Sequence, residues 1–459
     1  MRGTRSTSVK SSLSLIAAGL LMLSGCSAGG GGGDAGAGDE ATLRIVYQKS
    51  GEGSPLDTLM QDVKTQFEAE NGNVTVQLEP VEGSDEDYAT RLALSQRSPD
   101  TAPDVFYEDT FKVRSDVDAG YLLNLDPYLE QWPDWERFND GAKAAGVADD
   151  GATYAVPLGT DTRVIWYNKN VLEAAGVEVP WAPKSWDDIL AAARQIKESQ
   201  PDVVPFNMYA GTGTGEGTVM QSFYELLYGT DSQLYNEDQQ KWVVGSQGFV
   251  DSLSFLETLY DEELALTPAQ ALDPNIWQAV FGEYLPEDRM GGVVEGSYSP
   301  SFWQEGGMFE WADYGDVMGV APFPTQNGQE PGAVSMSGGW TLAIGANSQN
   351  PDLAFEFLKT AMSQENLLKY TVDNSQIAVR SDIAEDSTYL ESNPFVADVS
   401  EVVDVTHYRP ATSDYPEIST AAQQATEAVI TGERSPDEAA ADYDAAVRDI
   451  VGADNVVEE

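Results

Sequence analysis

From residue 43 onward, short apolar runs alternate with helical patterns. The run "LRIVY" over residues 43–47 has the look of a buried strand. Ser54 then stands as a cap before Pro55, a first-turn residue. Leu56, Leu59, Val63 and Phe67 recur at helical spacing and give that helix one apolar face. Asn71-Gly72 ends it, and Val74, Val76 and Leu78 alternate as a second strand. The unit is β-α-β, for which a right-handed crossover is expected. The order returns in "DEDYATRLALSQRS", a helix, and "APDVFYEDT", a strand running into a loop at Glu108-Asp109-Thr110. Residues 41–157 therefore read as an open α/β domain. Ligand loops in such a sheet lie beyond the carboxyl ends of its strands, here at residues 49–54, 81–85 and 109–112.

A second domain is expected from "GATYAVPLGTDTRVIWYNKNVLEAAGV", with a strand over residues 164–167. "SWDDILAAARQIKESQP" is a helix capped by Ser185 with Asp188 three residues on. "GFVDSLSFLETLYDEE" is another helix. "MSGGWTLAIGANSQNPDLAFEFLKTAM" gives a strand, a loop and a helix opened by Asn350-Pro351. "SPDEAAADYDAAVRDIV" opens on a capping box, Ser435 with Glu438. No internal repeat and no long disordered linker interrupts residues 41–450.

The amino terminus is of another kind. Arg2, Arg5 and Lys10 form a basic lead, residues 13–23 are mostly apolar, and Ser24 and Gly25 are small. That is the layout of a secretory signal, too short to span a bilayer, which takes about 20 apolar residues. Residues 1–25 are accordingly set apart from the fold. Cys26, the single cysteine, has no partner for a disulfide within the chain. The string Leu23-Ser24-Gly25-Cys26 resembles the lipobox of bacterial lipoproteins. The resemblance implies a diacylglyceryl group on the Cys26 sulfur and cleavage just before it. At about 0.8 kcal/mol per buried methylene, one acyl chain anchors weakly and two or more anchor stably. The bland alternative is a stray cysteine near an ordinary cleavage site. Residues 26–40, dominated by glycine, read as a flexible tether.

Charge narrows the partners. With 76 acids against 25 bases the net charge is −51, which disfavours nucleic acid and repels anionic headgroups. The acids are spread along the chain, in keeping with solubility in a salty or crowded exterior.

Several segments together resemble one family, the extracellular solute-binding proteins of ABC sugar importers, which include the maltose-binding proteins. The stretches are "APDVFYEDT…AGYLLNLDPYL", "GATYAVPLGTDTRVIWYNKNVLEAAG", "PKSWDDILAAARQI", "RMGGVVEGSYSPSFW", "SGGWTLAIGANSQNPDLAFEFLKTAMSQEN" and "RPATSDYPEISTAAQQA". They run from residue 43 to about 450 in the family's order. The resemblance implies a two-lobed periplasmic-binding-protein-like fold of type II, α/β, with a ligand cleft between lobes. Lobe one would be 41–157 plus 337–385, and lobe two 158–336 plus 386–459. It further implies a monomer, lipid-anchored at the outer face of the cell membrane, that closes on a sugar, passes it to the transmembrane subunits of an ABC permease, and uses no cofactor or metal.

Sugars offer apolar C–H faces to aromatic plates and hydroxyls to fixed polar groups. By position in the family pattern the candidates are Asp109, Asp161, Tyr298, Trp303, Gly338, Gly339, Trp340 and Arg409. Asp109 follows a first-lobe strand, and Asp161 lies past a hinge placed at residues 157–160. Gly338 and Gly339 would let the backbone approach a ligand, with Trp340 as a stacking plate. Arg409 would bind a hydroxyl or hold an acid in place. Each has a structural alternative: turn or helix caps for the aspartates, strand-start core for Trp340, rim packing for Tyr298 and Trp303, and a surface ion pair for Arg409.

Two other classes remain open. A secreted glycoside hydrolase needs two carboxylates about 5–10 Å apart, and in a chain this acidic some pair meets that by chance. Beyond the glycine tether the sequence has no G-x-S-x-G elbow, no P-loop and no H-E-x-x-H motif, His407 is the only histidine, and no EF-hand loop is intact. His407 reads as structural. A surface lipoprotein without a small ligand would explain the anchor and the acidity, but not "SGGWTLAI" at a lobe crossing.

Overall fold

Strands buried on both faces make the centre of the first lobe. The computed structural model describes residues 41–459 apart from Ser50, Glu52 and Ser84, so the signal stretch, Cys26 and the glycine tether lie outside the described residues. Strands β1 (Ala41–Lys49), β2 (Val74–Glu82) and β3 (Val105–Asp109) are parallel. β4 (Ala155–Thr160) joins them after a long excursion. Leu43, Ile45, Val46 and Tyr47 of β1 are buried, while Arg44 among them is only half-buried and pairs with Glu79 at 2.9 Å. The helix Pro55–Glu70 covers them with Leu56, Leu59, Met60, Val63 and Phe67, the expected face with one residue more. Ser54 occupies the cap position, but its side chain makes no capping bond; its carbonyl accepts from Thr58 N at 3.0 Å.

The second lobe is built on three small sheets. β5 (Arg163–Asn168) lies between β8 (Gly292–Gly296) and β9 (Met318–Ala321), antiparallel to both. β6 (Tyr235–Asn236) and β7 (Lys241–Val244) form a second sheet with β14 (Val456–Glu458). β10 (Phe323–Pro324), β11 (Ala333–Ser337) and β13 (Thr406–Tyr408) form the third. Helices Trp186–Ser199, Gln247–Asp261, Tyr415–Ile430 and Pro436–Val451 pack around them. Ser185 caps the first of these by accepting from Asp188 N at 3.3 Å, while the Asp188 carboxylate reaches back to Lys184 N. The Ser435–Glu438 capping box is complete in both directions.

β12 (Gly339–Ile344) returns from the second lobe to complete the first sheet, in the order β2-β1-β3-β12-β4. The chain passes from the first sheet and its core to the other sheets and cores at residues 161–162, back at Gly338, and again near residues 390–400. At the last crossing Tyr389 and Val396 pack on the first core, whereas Phe395, Val399 and Val402 pack on the second lobe. The hinge expected at residues 157–160 falls on strand β4. Those residues are the ladder-bonded end of β4, and the chain leaves the sheet only at Asp161. Among the described residues no helix is long and apolar enough to cross a membrane.

Candidate functional site

Three strand ends meet where the lobes join: β3 at Asp109, β4 at Thr160, and the start of β12 at Gly339. Antiparallel pairing sets Trp340 opposite Asp109 on one side and Gly159 on the other, with an irregularity in register after Trp340. Side chains opposite one another across a ladder share a face, as do residues two apart on a strand. Trp340, Asp109 and Tyr107 therefore form one corner. The half-buried Trp340 ring stacks on Tyr107 with centroids 4.2 Å apart and planes 4° from parallel, and meets Tyr88 edge-on at 6.4 Å.

The two glycines before Trp340 serve different ends. Gly339 has φ +143°, and a Cβ there would stand 2.6 Å from the Gly159 carbonyl oxygen. This glycine lets β12 lie against β4, so the expected approach of a ligand is not what requires it. A Cβ on Gly338 would find Arg409 Nη2 and Asp161 Oδ1 each at 3.5 Å, ordinary contact.

Asp161 is 7% exposed and ties two crossings together. Its Oδ1 accepts from Gly338 N at 2.7 Å and from Arg163 Nη1, and its carbonyl accepts from Ser337 Oγ at 2.6 Å. These bonds tie its Oδ1 and its carbonyl into the joint. Arg163 itself, buried, lies 5.8 Å from the Tyr298 ring centroid. Tyr298 is half-buried, and its hydroxyl accepts from Gln221 Nε2 at 2.9 Å. Its ring lies so close over Gly296 that a Cβ there would be 2.1 Å from it. On β8, Glu295 accepts from the Tyr209 hydroxyl at 2.7 Å and from Gly296 N at 3.3 Å. Burial raises its carboxyl from an ordinary 4.5 to about 7.

Arg409 gathers acids from both lobes. Its Nη2 donates to Asp109 Oδ1 at 2.7 Å and its Nη1 to Glu216 Oε2 at 3.2 Å. Burial works against the charge, but Asp109, Tyr415 and Glu216 outweigh it and hold the guanidinium above its ordinary pKa. Glu216 also accepts from the hydroxyls of Tyr415, at 2.8 Å, and Ser419. Asp109 doubles as a cap, accepting from Phe111 N at 3.3 Å. The surface ion pair weighed for Arg409 is thus a buried one.

Trp303 does not belong to this cluster. It is fully buried in the second lobe, and its Nε1 donates to the Phe281 carbonyl at 3.1 Å. His407 stacks on Tyr228 at 4.6 Å. Both line no part of the Trp340 corner, though His407 borders a cavity of about 380 Å³ with Phe111, Arg114, Tyr228, Tyr235 and Arg409. Trp340, Tyr298 and Asp161 are not in that lining.

The sequence reading missed Tyr107, Arg163, Glu216 and Gln221. Arg163 had a signal, a cation opening an otherwise apolar strand two residues after an aspartate. Glu216 had a weaker one, as the single charge in "GTGTGEGT".

Residues 51–367 match the family model of bacterial extracellular solute-binding proteins. A diacetylchitobiose-binding protein of Streptomyces coelicolor is 27% identical over 345 residues, 73% of this chain and 72% of that one. A probable ABC transporter-binding protein of Deinococcus radiodurans is 25% identical over 304 residues, 62% of this chain and 66% of its own length. Among solved structures, the GacH receptor of Streptomyces glaucescens, crystallised unliganded and with acarbose, superposes with a TM-score of 0.74 at 25% identity. That match covers 90% of this chain and 99% of the receptor.

Proposed function

Because the chain belongs to the bacterial extracellular solute-binding proteins, we propose that it captures a di- or oligosaccharide in its cleft and delivers it to an ABC permease. One observation carries this reading: a flat aromatic pair, Trp340 on Tyr107, stands beside the fixed carboxylate of Asp109 where the lobes meet. A sugar needs that combination, a plate for its C–H face and an oriented acceptor for its hydroxyls. Tyr298 supplies a second ring from the other lobe, and Arg163 and Gln221 orient it. Asp161, Gly338 and Arg409 shape the floor. The relatives that bind diacetylchitobiose and acarbose support a sugar as the ligand class.

The lobes are taken as residues 41–160 plus 339 to about 394, and the remainder to 459. The early boundary shifts from 157 because β4 continues, and the late one from 385 because Tyr389 packs on the first core. Cys26 is proposed as the lipidated residue. Cys26→Ser should move the protein from the membrane fraction to the medium, and continued membrane retention of the variant would remove the anchor.

Tryptophan fluorescence and thermal shift during titration with mono- and oligosaccharides, diacetylchitobiose and acarbose included, should show saturable binding. A broad panel without any saturable change overturns the sugar assignment, and sustained release of product from an oligosaccharide favours a hydrolase. Trp340→Ala should weaken binding by at least ~1 kcal/mol, roughly fivefold in Kd. Unchanged affinity would take the ring out of the site.

A further inference from the structure

The turn that leaves the first-lobe sheet is seated in the other lobe. β3 ends at Asp109 and the 3-10 turn Thr110–Lys112 follows. Phe111 of that turn packs against the second-lobe core, edge-on to Tyr415 at 5.4 Å. The Arg409 guanidinium stands over the same ring at 4.2 Å and pairs with Asp109 at 2.7 Å. Arg409 follows β13 of the second lobe, and its other nitrogen is anchored on Glu216, itself held by Tyr415 and Ser419. An ion pair and a cation–π contact therefore cross the cleft through one side chain that is 6% exposed.

Opening the lobes would withdraw Phe111 from its cover and strip Asp109 from a guanidinium that is screened from salt by burial. Removing one partner of a buried pair is costly because the other charge is left behind. We propose that Arg409 is the positioning residue of the cleft: anchored on Glu216 in one lobe, it grips Asp109 and Phe111 of the other and sets the lobe angle before any sugar arrives. A cleft held near its closed angle asks less of the ligand, since affinity scales with the fraction of protein already competent. The inference rests on the capture reading for its purpose, but its test needs no sugar.

Small-angle X-ray scattering of the ligand-free full chain reads the lobe angle directly. Arg409→Met keeps the apolar stem and removes the charge, and should increase the radius of gyration. Arg409→Lys should lie between the two, because it keeps the charge without the planar fork. Asp109→Asn retains a side chain that caps Phe111 N and removes only the ion pair; it should expand the protein as well, and it decides the matter if Arg409→Met does not fold. Scattering identical to wild type in a folded Arg409→Met, or in Asp109→Asn, overturns the proposal. A protein that binds none of the sugars yet opens on Arg409→Met would sink the ligand assignment and leave the Arg409 grip on Asp109 and Phe111 standing.

Discussion

Trp303→Ala is expected to cost ~3–5 kcal/mol of stability, the range for deleting a large aromatic from a closed core. The ring is surrounded on every side that the structure describes. Trp166 meets it edge-on at 5.6 Å and Trp311 at 5.7 Å, with Phe281 at 5.5 Å and Tyr314 at 5.9 Å. Alanine would leave a cavity among these rings and orphan the Phe281 carbonyl that now accepts from Trp303 Nε1. Neighbouring rings this large relax only partly into such a space, so the cavity adds to the transfer loss. Urea unfolding should show a much lower midpoint. A midpoint within error of wild type would mean that Trp303 is not core, and would return it to the ligand candidates.

The second large effect is on pH. Glu295 is 3% exposed and titrates near 7 in the fold against an ordinary 4.5, burial being the main cause. A raised acid binds a proton more tightly when folded than when unfolded. Its contribution is therefore fully present below about pH 4.5 and is lost as pH rises through about 7. At pH 8 the loss amounts to roughly 3 kcal/mol for this one group. Glu225 and Glu108, both pushed well up by burial, and Asp116, raised to about 6, act in the same direction. The protein should accordingly be easier to unfold at pH 8 than at pH 5. Glu295→Gln mimics the protonated acid and still accepts from the Tyr209 hydroxyl. Its unfolding midpoint should exceed that of wild type at pH 8 and lose that advantage at pH 5. Parallel pH profiles for the two proteins would show that Glu295 is charged in the fold.

Local patterns in the chain were enough to place the first β-α-β unit. Leu43–Tyr47 and the Leu56–Phe67 face are each settled by neighbours within one element, which is where periodicity has its force. Caps were legible as positions but not always as bonds: Ser435 closes its box, while Ser54 leaves its hydroxyl out. The site was legible as a set of residue types and not as a geometry. The pairing of Trp340 with Asp109 depends on a register between strands more than two hundred residues apart, and no local pattern encodes it. Trp303 was misplaced for a related reason. Position in the family pattern made Tyr298 and Trp303 a pair of aromatic candidates, and only the packing around β5 and β8 decides that Tyr298 stays half-buried while Trp303 turns inward. Arg409 and Glu216 are 193 residues apart, so the line of contacts from Glu216 through Arg409 to Asp109 had no trace within either segment.

The close contact of Gly339 with Gly159 has a mechanical consequence. Two of the three passages between the lobes run side by side, backbone on backbone, and are stitched by Thr160 Oγ1 to the Gly338 carbonyl at 3.1 Å and by Gly338 N to Asp161 at 2.7 Å. A pair of stitched chains behaves as a flat strap: it flexes across its thin direction and stiffens against twisting or sideways shear. The joint is therefore a door hinge with one axis, not a ball and socket. A hinge of that kind guides the two sides of the joint back along one path at every closure.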